Sequence, residues 1–279
     1  MKVLIGVATF PVTDETPHEV YPATKAAIDA LEFDGDLAID FFGGDDPALD
    51  PRDNLTHKHN QMRQRVLDDG YDALLTIEAD MIVPPDALAK LASVEADVVY
   101  GVYCSRAHPM VLTFPTIDGY RGRSISADAE HYRGKFGGII PCEGVGFGCT
   151  LIRRNVLEAV EFRRDVSTAM RRKFADDWTF ALDVKAAGFE SAAHLGVLCG
   201  HIQRDGVVRW VDPDAPTLMR VEGEAQAARG TLPPVARYHV LKLLSSPSRD
   251  YRPGAEIELS AEAATILLGL GKIQIIQEI

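Results

Sequence analysis

NQMRQRVLDDGYDALLTIEADMIVPPDAL, residues 60–88, is the stretch that decides the fold. Its first third is polar and amphipathic, and Gly70 stands where a helix commonly ends. Residues 73–77 (ALLTI) then form a short, continuous apolar run. Runs of this kind are buried on both faces, as in a parallel sheet covered by helices. The run stops at Glu78-Ala79-Asp80, which puts two carboxylates just past a strand end. Pro84-Pro85 opens the next helix. Proline suits its first turn, Asp86 suits the positive end of its dipole, and Leu88, Leu91 and Ala92 supply an apolar stripe.

Working outward, the same alternation recurs. Residues 2–8 (KVLIGVA) read as a first buried strand and 24–31 as a helix. Residues 37–42 read as a second strand, closed by Gly43-Gly44-Asp45-Asp46-Pro47, and 54–67 as the helix that Gly70 ends. Residues 96–103 (ADVVYGVY) form a fourth strand. Strand–helix alternation predicts an α/β fold: an open, mostly parallel sheet with helices on both faces. Residues 105–142 read as loops and antiparallel strands, followed by helices at 155–162 and 178–187. Thr231-Leu232-Pro233-Pro234 is linker-like. Beyond it lie strands at 238–244 and 272–276 and a helix at 261–270 capped by Ser260. The expected organisation is one α/β domain over 1–230 and a small α+β appendage over 231–279.

With 279 residues, 46% hydrophobic and 25% charged, the chain has the composition of a folded globular protein, not a disordered one. No stretch approaches the roughly 18 apolar residues that span a bilayer. MKVLIGVATFP has the outline of a signal peptide, but its apolar run ends at Phe10. Thr13-Asp14-Glu15 follow without a small-residue cleavage site, so a cytoplasmic protein is expected. Cys104, Cys142, Cys149 and Cys199 form no CxxC pair and lack zinc-ligand spacing, which fits buried reduced thiols. The net charge of −12 disfavours nonspecific nucleic-acid binding. Even so, residues 106–173 hold 12 Lys/Arg against 7 Asp/Glu, while the rest of the chain holds 17 against 34. That basic middle is either a set of solvated helix faces or a polyanion site.

The chemistry centres on Glu78 and Asp80. In open α/β sheets the ligand crevice lies outside the carboxyl ends of the strands. Two hard oxygen donors there suit Mg²⁺ or Mn²⁺, particularly with a diphosphate completing the coordination. An acidic pair after a strand can equally be a solvated turn. Its surroundings favour the first reading: residues 60–88 resemble the family 2-like glycosyltransferases of GT-A (Rossmann-like) fold. Their usual text is close to RN…GYDYLLFIDSDM…PPDAL, with the same spacing from the asparagine to the first carboxylate. The resemblance puts Glu78 and Asp80 on the family's DxD motif, which holds the cation and the sugar-nucleotide diphosphate. Glu78 replaces the family's first Asp, lengthening the arm by one methylene. His59 stands where the family has Arg, and Arg63 or Arg65 is an alternative source of that charge.

Three further motifs follow in the family's order. Glu143-Gly-Val-Gly-Phe-Gly-Cys-Thr-Leu-Ile-Arg-Arg resembles its glycine-rich stretch before a helix. Gly144 and Gly146 there imply close approach of a sugar or acceptor, with Arg106 on the acceptor side; a strand bulge is the competing explanation. Phe174-Ala-Asp-Asp-Trp-Thr-Phe resembles the Glu-Asp motif. Asp176 takes the Glu place, and Asp177 becomes the candidate general base. Helix N-capping would also explain the pair. Cys199-Gly-His-Ile resembles the terminal GHI, whose histidine, here His201, often completes the metal site. Thr9 and Phe10, with Asn60 and Arg63, fall where such enzymes contact the donor.

The resemblance covers residues 1–205. It implies a metal-dependent transferase moving a sugar from a UDP-, GDP- or TDP-type donor to an acceptor hydroxyl, with inversion. A nucleotidyltransferase is one rival, but residues 8–11 (ATFP) lack its glycine-rich phosphate loop. A nucleotide-sugar-binding module without turnover is another. Residues 251–276 resemble small modules of phage structural and packaging proteins. That likeness points to a virion protein or a modified DNA base as acceptor.

Overall fold

The chain divides into two compact units, Met1–Gly223 and Glu224–Ile279. The structure, a computed structural model, describes residues 1–11, 19–106, 110–118, 121–144, 146–167, 172–173, 176–203 and 206–223. In the second unit it describes five strands.

The first unit starts with β1 (Lys2–Ala8), α1 (Pro22–Asp29), β2 (Asp36–Phe42), α2 (Pro51–Asp69) and β3 (Ala73–Glu78). Helix α2 begins earlier than its periodicity suggests, because Asp50 caps it by accepting from the Arg52 N–H at 2.9 Å and Pro51 follows. It ends at Gly70, whose φ of 67° requires the left-handed region that glycine enters without cost. Next come β4 (Met81–Ile82), α3 (Ala87–Ala92) and β5 (Val98–Val102). A hairpin of β6 (Thr116–Asp118) and β7 (Arg121–Arg123) leads to α4 (Ala129–Arg133) and β8 (Ile139–Pro141). After these lie β9 (Cys149–Arg153), α5 (Arg154–Ala159), the short pair β10 (Val166–Ser167) and β11 (Arg172–Lys173), and α6 (Asp176–Ala186). The unit closes with β12 (Ser191–Leu198), β13 (Gly200–Ile202), β14 (Val208–Val211) and β15 (Met219–Glu222).

Seven strands form one sheet in the order β2-β1-β3-β9-β5-β12-β8. β1 pairs in parallel with β2 and β3, and β5 with β12. β9 lies antiparallel between β3 and β5, and β8 lies antiparallel at the edge beside β12. The sheet is therefore mixed, with five strands running one way and two against them. Every residue of β5, and every residue of β1 after Lys2, is buried. Because successive side chains point to opposite faces, both faces of the sheet's centre are covered. α2 packs against β1, β2 and β3, and α3 against β5, β9 and β12. β2, at the other edge, leaves Leu37, Ile39 and Phe41 exposed.

A second sheet of four strands, β15-β14-β13-β4, is antiparallel throughout. In the second unit, Val235–Val240 pairs with Glu256–Ser260 and Ile273–Ile275, and Leu244–Ser245 with Asp250–Tyr251. The expected linker at 231–234 and helix at 261–270 lie outside the described residues. No helix among the described residues is long and apolar enough to cross a membrane. All four cysteines are free and buried.

Candidate active site

The carboxyl ends of β1, β3 and β5 and the amino end of β9 meet at one edge of the large sheet, since Ala8 aligns with Glu78, Ile77 with Cys149 and Tyr100 with Thr150. Glu78 ends β3 and is half-buried; Asp80, two residues past the strand's end, is only 1% exposed. The second sheet supplies the third member of the cluster. β13 pairs with β4 so that His201 aligns with Met81, and the Ile202 N–H donates to the Asp80 carbonyl at 2.8 Å. One ligand atom from each of Glu78, Asp80 and His201 lies within 4.8 Å of the others.

The hydrogen bonds assign the histidine tautomer. His201 Nδ1–H donates to the Cys104 carbonyl at 2.7 Å, and a carbonyl oxygen can only accept. In the neutral ring Nε2 then carries the lone pair, 3.3 Å from Asp80 Oδ2. Burial, and then the charges of Arg106 and Arg209, hold the imidazole below the ordinary histidine range, against the pull of Glu78. Asp80 Oδ1 is buried with no hydrogen-bond partner, a cost of about 1–3 kcal/mol or more for a charged oxygen. Two carboxylates, an available imidazole nitrogen and an orphaned oxygen make a donor set that fits a divalent cation.

Arg106 sits at the same point. Its guanidinium pairs with Asp80 Oδ2, lies 3.5 Å from His201 Nε2 and is centred 5.6 Å from the Phe10 ring. Arg209 braces it by donating to the backbone carbonyls of Ser105 at 2.8 Å and Arg106 at 3.0 Å. Thr9 is held by its own N–H to the Phe42 carbonyl at 2.9 Å, and its carbonyl accepts from the buried Lys58 at 2.7 Å. Lys58 also pairs with Asp45. Phe10 therefore reaches the cluster through Arg106, and Thr9 is fixed beside it.

Asp176 and Asp177 begin α6, as the capping pattern predicts, but they differ in what they touch. Both oxygens of Asp176 are engaged: Oδ2 with His59 Nδ1 at 2.6 Å, and Oδ1 with the Asp177 N–H at 3.1 Å. Asp177 Oδ1 accepts from the Trp178 N–H at 2.6 Å, while Oδ2 faces Gly146. Burial, and next the charges of Asp176 and Glu78, push the Asp177 carboxyl up to about 7, against the Trp178 bond and His59.

The alternating glycines serve packing more than an open approach. A Cβ on Gly148 would lie 2.7 Å from the Tyr103 ring, and one on Gly146 would strike the Tyr103 hydroxyl. Gly144 is filled by Ile117 in the same way. Tyr103 accepts from the Gly148 N–H at 3.2 Å and stands edge-on to His201, ring centroids 5.8 Å apart. Protein side chains thus border Gly144 and Gly146, Ile117 at the first and Tyr103 with Asp177 at the second.

Asn60 and Arg63 make hydrogen bonds within the protein. Asn60 donates to the Phe162 carbonyl at 2.6 Å and accepts from the Phe162 N–H at 3.1 Å. Arg63 Nε–H donates to the Leu157 carbonyl at 2.6 Å and the Val160 carbonyl at 3.1 Å. These bonds latch α2 to the segment around the end of α5. Tyr103, Lys58, Arg209 and the pairing of His59 with Asp176 were missed from sequence. Each acts across a large sequence separation, which periodicity does not report.

No protein-family model matches the chain. No curated protein sequence matches it either. Among solved structures it is similar to A197 from STIV, at 15% identity and a TM-score of 0.48, covering 80% of this chain and 95% of that one. It is also similar to S. aureus TarS 1-349 in complex with UDP, at 12% identity and a TM-score of 0.38, covering 69% of this chain and 57% of that one. A third is the inositol-1-phosphate CTP transferase from T. maritima, at 11% identity and a TM-score of 0.34, covering 72% and 89%. These likenesses, all below a TM-score of 0.5, leave function to be judged from the site's own chemistry.

Proposed function

We propose that this chain is a metal-dependent glycosyltransferase, of GT-A type over residues 1–230, that moves a sugar from a nucleotide-diphosphate donor to an acceptor hydroxyl with inversion. One observation carries the reading: Glu78, Asp80 and the unprotonated Nε2 of His201 converge beside a buried, unpartnered oxygen of Asp80. The imidazole favours Mn²⁺ over Mg²⁺, which is bound chiefly through oxygen. When bound, such an ion neutralises charge developing on a departing diphosphate.

The chain's own residues divide the remaining work. Arg106, a fixed cation within reach of the cluster, adds positive charge for the same phosphates. Phe10 and the backbone at Thr9 border the donor side. Asp177 Oδ2, the oxygen not fixed by Trp178, takes the acceptor proton, and a carboxyl raised to about 7 is suited to that task near neutrality. Asp176 positions Asp177 and does not itself meet the reacting atoms. The donor is of UDP, GDP or TDP type. The acceptor is a virion protein or a modified DNA base.

The test is calorimetric titration of Mn²⁺ with UDP, GDP and TDP. Binding of one nucleotide that needs Mn²⁺, and that Asp80→Ala abolishes, is the expected result. Equal nucleotide binding without metal, or in Asp80→Ala, would sink the proposal.

A further inference from the structure

We propose that His59 is a positioning residue for the acceptor-side base: it holds Asp176, and Asp176 holds Asp177. This rests on the reading of Asp177 as base.

The linkage is built from α2 to the first turn of α6. His59 lies on α2, with 2% of its surface exposed, and its Nδ1 is 2.6 Å from Asp176 Oδ2. A carboxylate has no proton to give, so Nδ1–H is the donor. Asp176 is 3% exposed, and its other oxygen accepts from the Asp177 N–H at 3.1 Å. The imidazole is itself fixed. Phe147 stands edge-on to it with ring centroids 4.7 Å apart, and Phe162 lies at 5.3 Å. Phe147 and Phe162 both pack on Phe180 of α6. An aromatic cage thus fixes the histidine, the histidine fixes one carboxylate, and that carboxylate fixes the backbone of the next. Orienting a base through a third, buried group is how nucleophile–base pairs are commonly held.

Burial alone does not require this arrangement. Apolar residues at both 59 and 176 would fill the space with no carboxylate to satisfy, and a buried pair of this kind gives little net stability. Its consequence lies in the base it faces. Besides Asp176 and His59, the ionisable groups that bear on Asp177 are Glu78 at the end of β3 and the phenols of Tyr100 and Tyr103 at the end of β5. Of these, Asp176 and Glu78 raise its proton affinity and His59 lowers it.

The experiment pairs two substitutions at 59 with one at 176. His59→Phe keeps the ring and removes the donor; His59→Asn keeps a donor near the Nδ1 position without the imidazole. Asp177 is followed by its ¹³C carboxyl titration, and Mn²⁺-dependent hydrolysis of the UDP-, GDP- or TDP-sugar that the wild-type chain turns over gives the rate. The wild-type midpoint is expected at about 7. It should move upward by about half a unit or more in both His59 variants, and downward in Asp176→Asn. His59→Phe should lose about tenfold or more in rate with little change in KM, and His59→Asn should recover most of that rate above the new midpoint. Midpoints that stay put in both His59 variants would overturn the linkage. So would equal rates in the wild type and His59→Phe, whichever way His59→Asn behaves. Asp177→Asn hydrolysing at the wild-type rate would instead overturn the assignment of the base itself, so the two failures are distinguishable.

Discussion

As the proposed base, Asp177 would act against stability and for chemistry at once. Its carboxyl is raised from 3.8 to about 7, so the folded chain holds that proton more tightly than the unfolded one. The associated stability is present at low pH and is lost as pH rises from about 4 through 7. A base must be unprotonated, so transfer should instead climb with pH through about 7. Asp177→Asn cannot ionise. It is expected to melt higher than wild type at pH 8, by about 1–3 kcal/mol, while losing transfer; calorimetry at pH 5 and 8 checks the sign. Arg106 makes the second prediction at this scale. It pairs with the oxygen that a cation needs, so Arg106→Gln should bind Mn²⁺ alone more tightly, by about 1 kcal/mol or fivefold. The same change should weaken binding of the Mn²⁺–nucleotide pair. Titrations with and without nucleotide read both effects.

The elements were legible where local chemistry decides them. The apolar run at 73–77 and the glycine at 70 each act within a turn or a strand, and the corresponding elements lie within a few residues of expectation. Glu78, Asp80 and His201 were likewise found, because carboxylates at a strand end are a local pattern and the motif order supplied the histidine. What stayed hidden depends on partners far along the chain. The antiparallel β9, inserted between β3 and β5, cannot be read from its own sequence, since CTLIR suits a strand of either direction. The packing of Gly146 and Gly148 is hidden for the same reason: the ring they accommodate belongs to Tyr103, over forty residues earlier. Gly148→Ala tests that assignment. A methyl group 2.7 Å from the Tyr103 ring should cost about 1–3 kcal/mol, measured by urea unfolding, and shift the ring beside His201.

At the scale of the whole molecule, the residues assigned to chemistry all fall in Met1–Gly223. A chain ending at Gly223 is therefore expected to keep one cooperative thermal transition and the full-length affinity for Mn²⁺. Loss of either would give the second unit a part in the site. Within the first unit, β3 and β12 of the large sheet run on into β4 and β13 of the small one, and β4 pairs with β13 there. Asp80 precedes that junction and His201 lies in it, so the cluster draws on the early and late parts of the unit together. A nascent chain has made both carboxylates long before the imidazole has left the ribosome. On the proposed reading, ion loading would be the closing event of assembly, and a chain that carries the ion would already have passed inspection for a correctly seated small sheet.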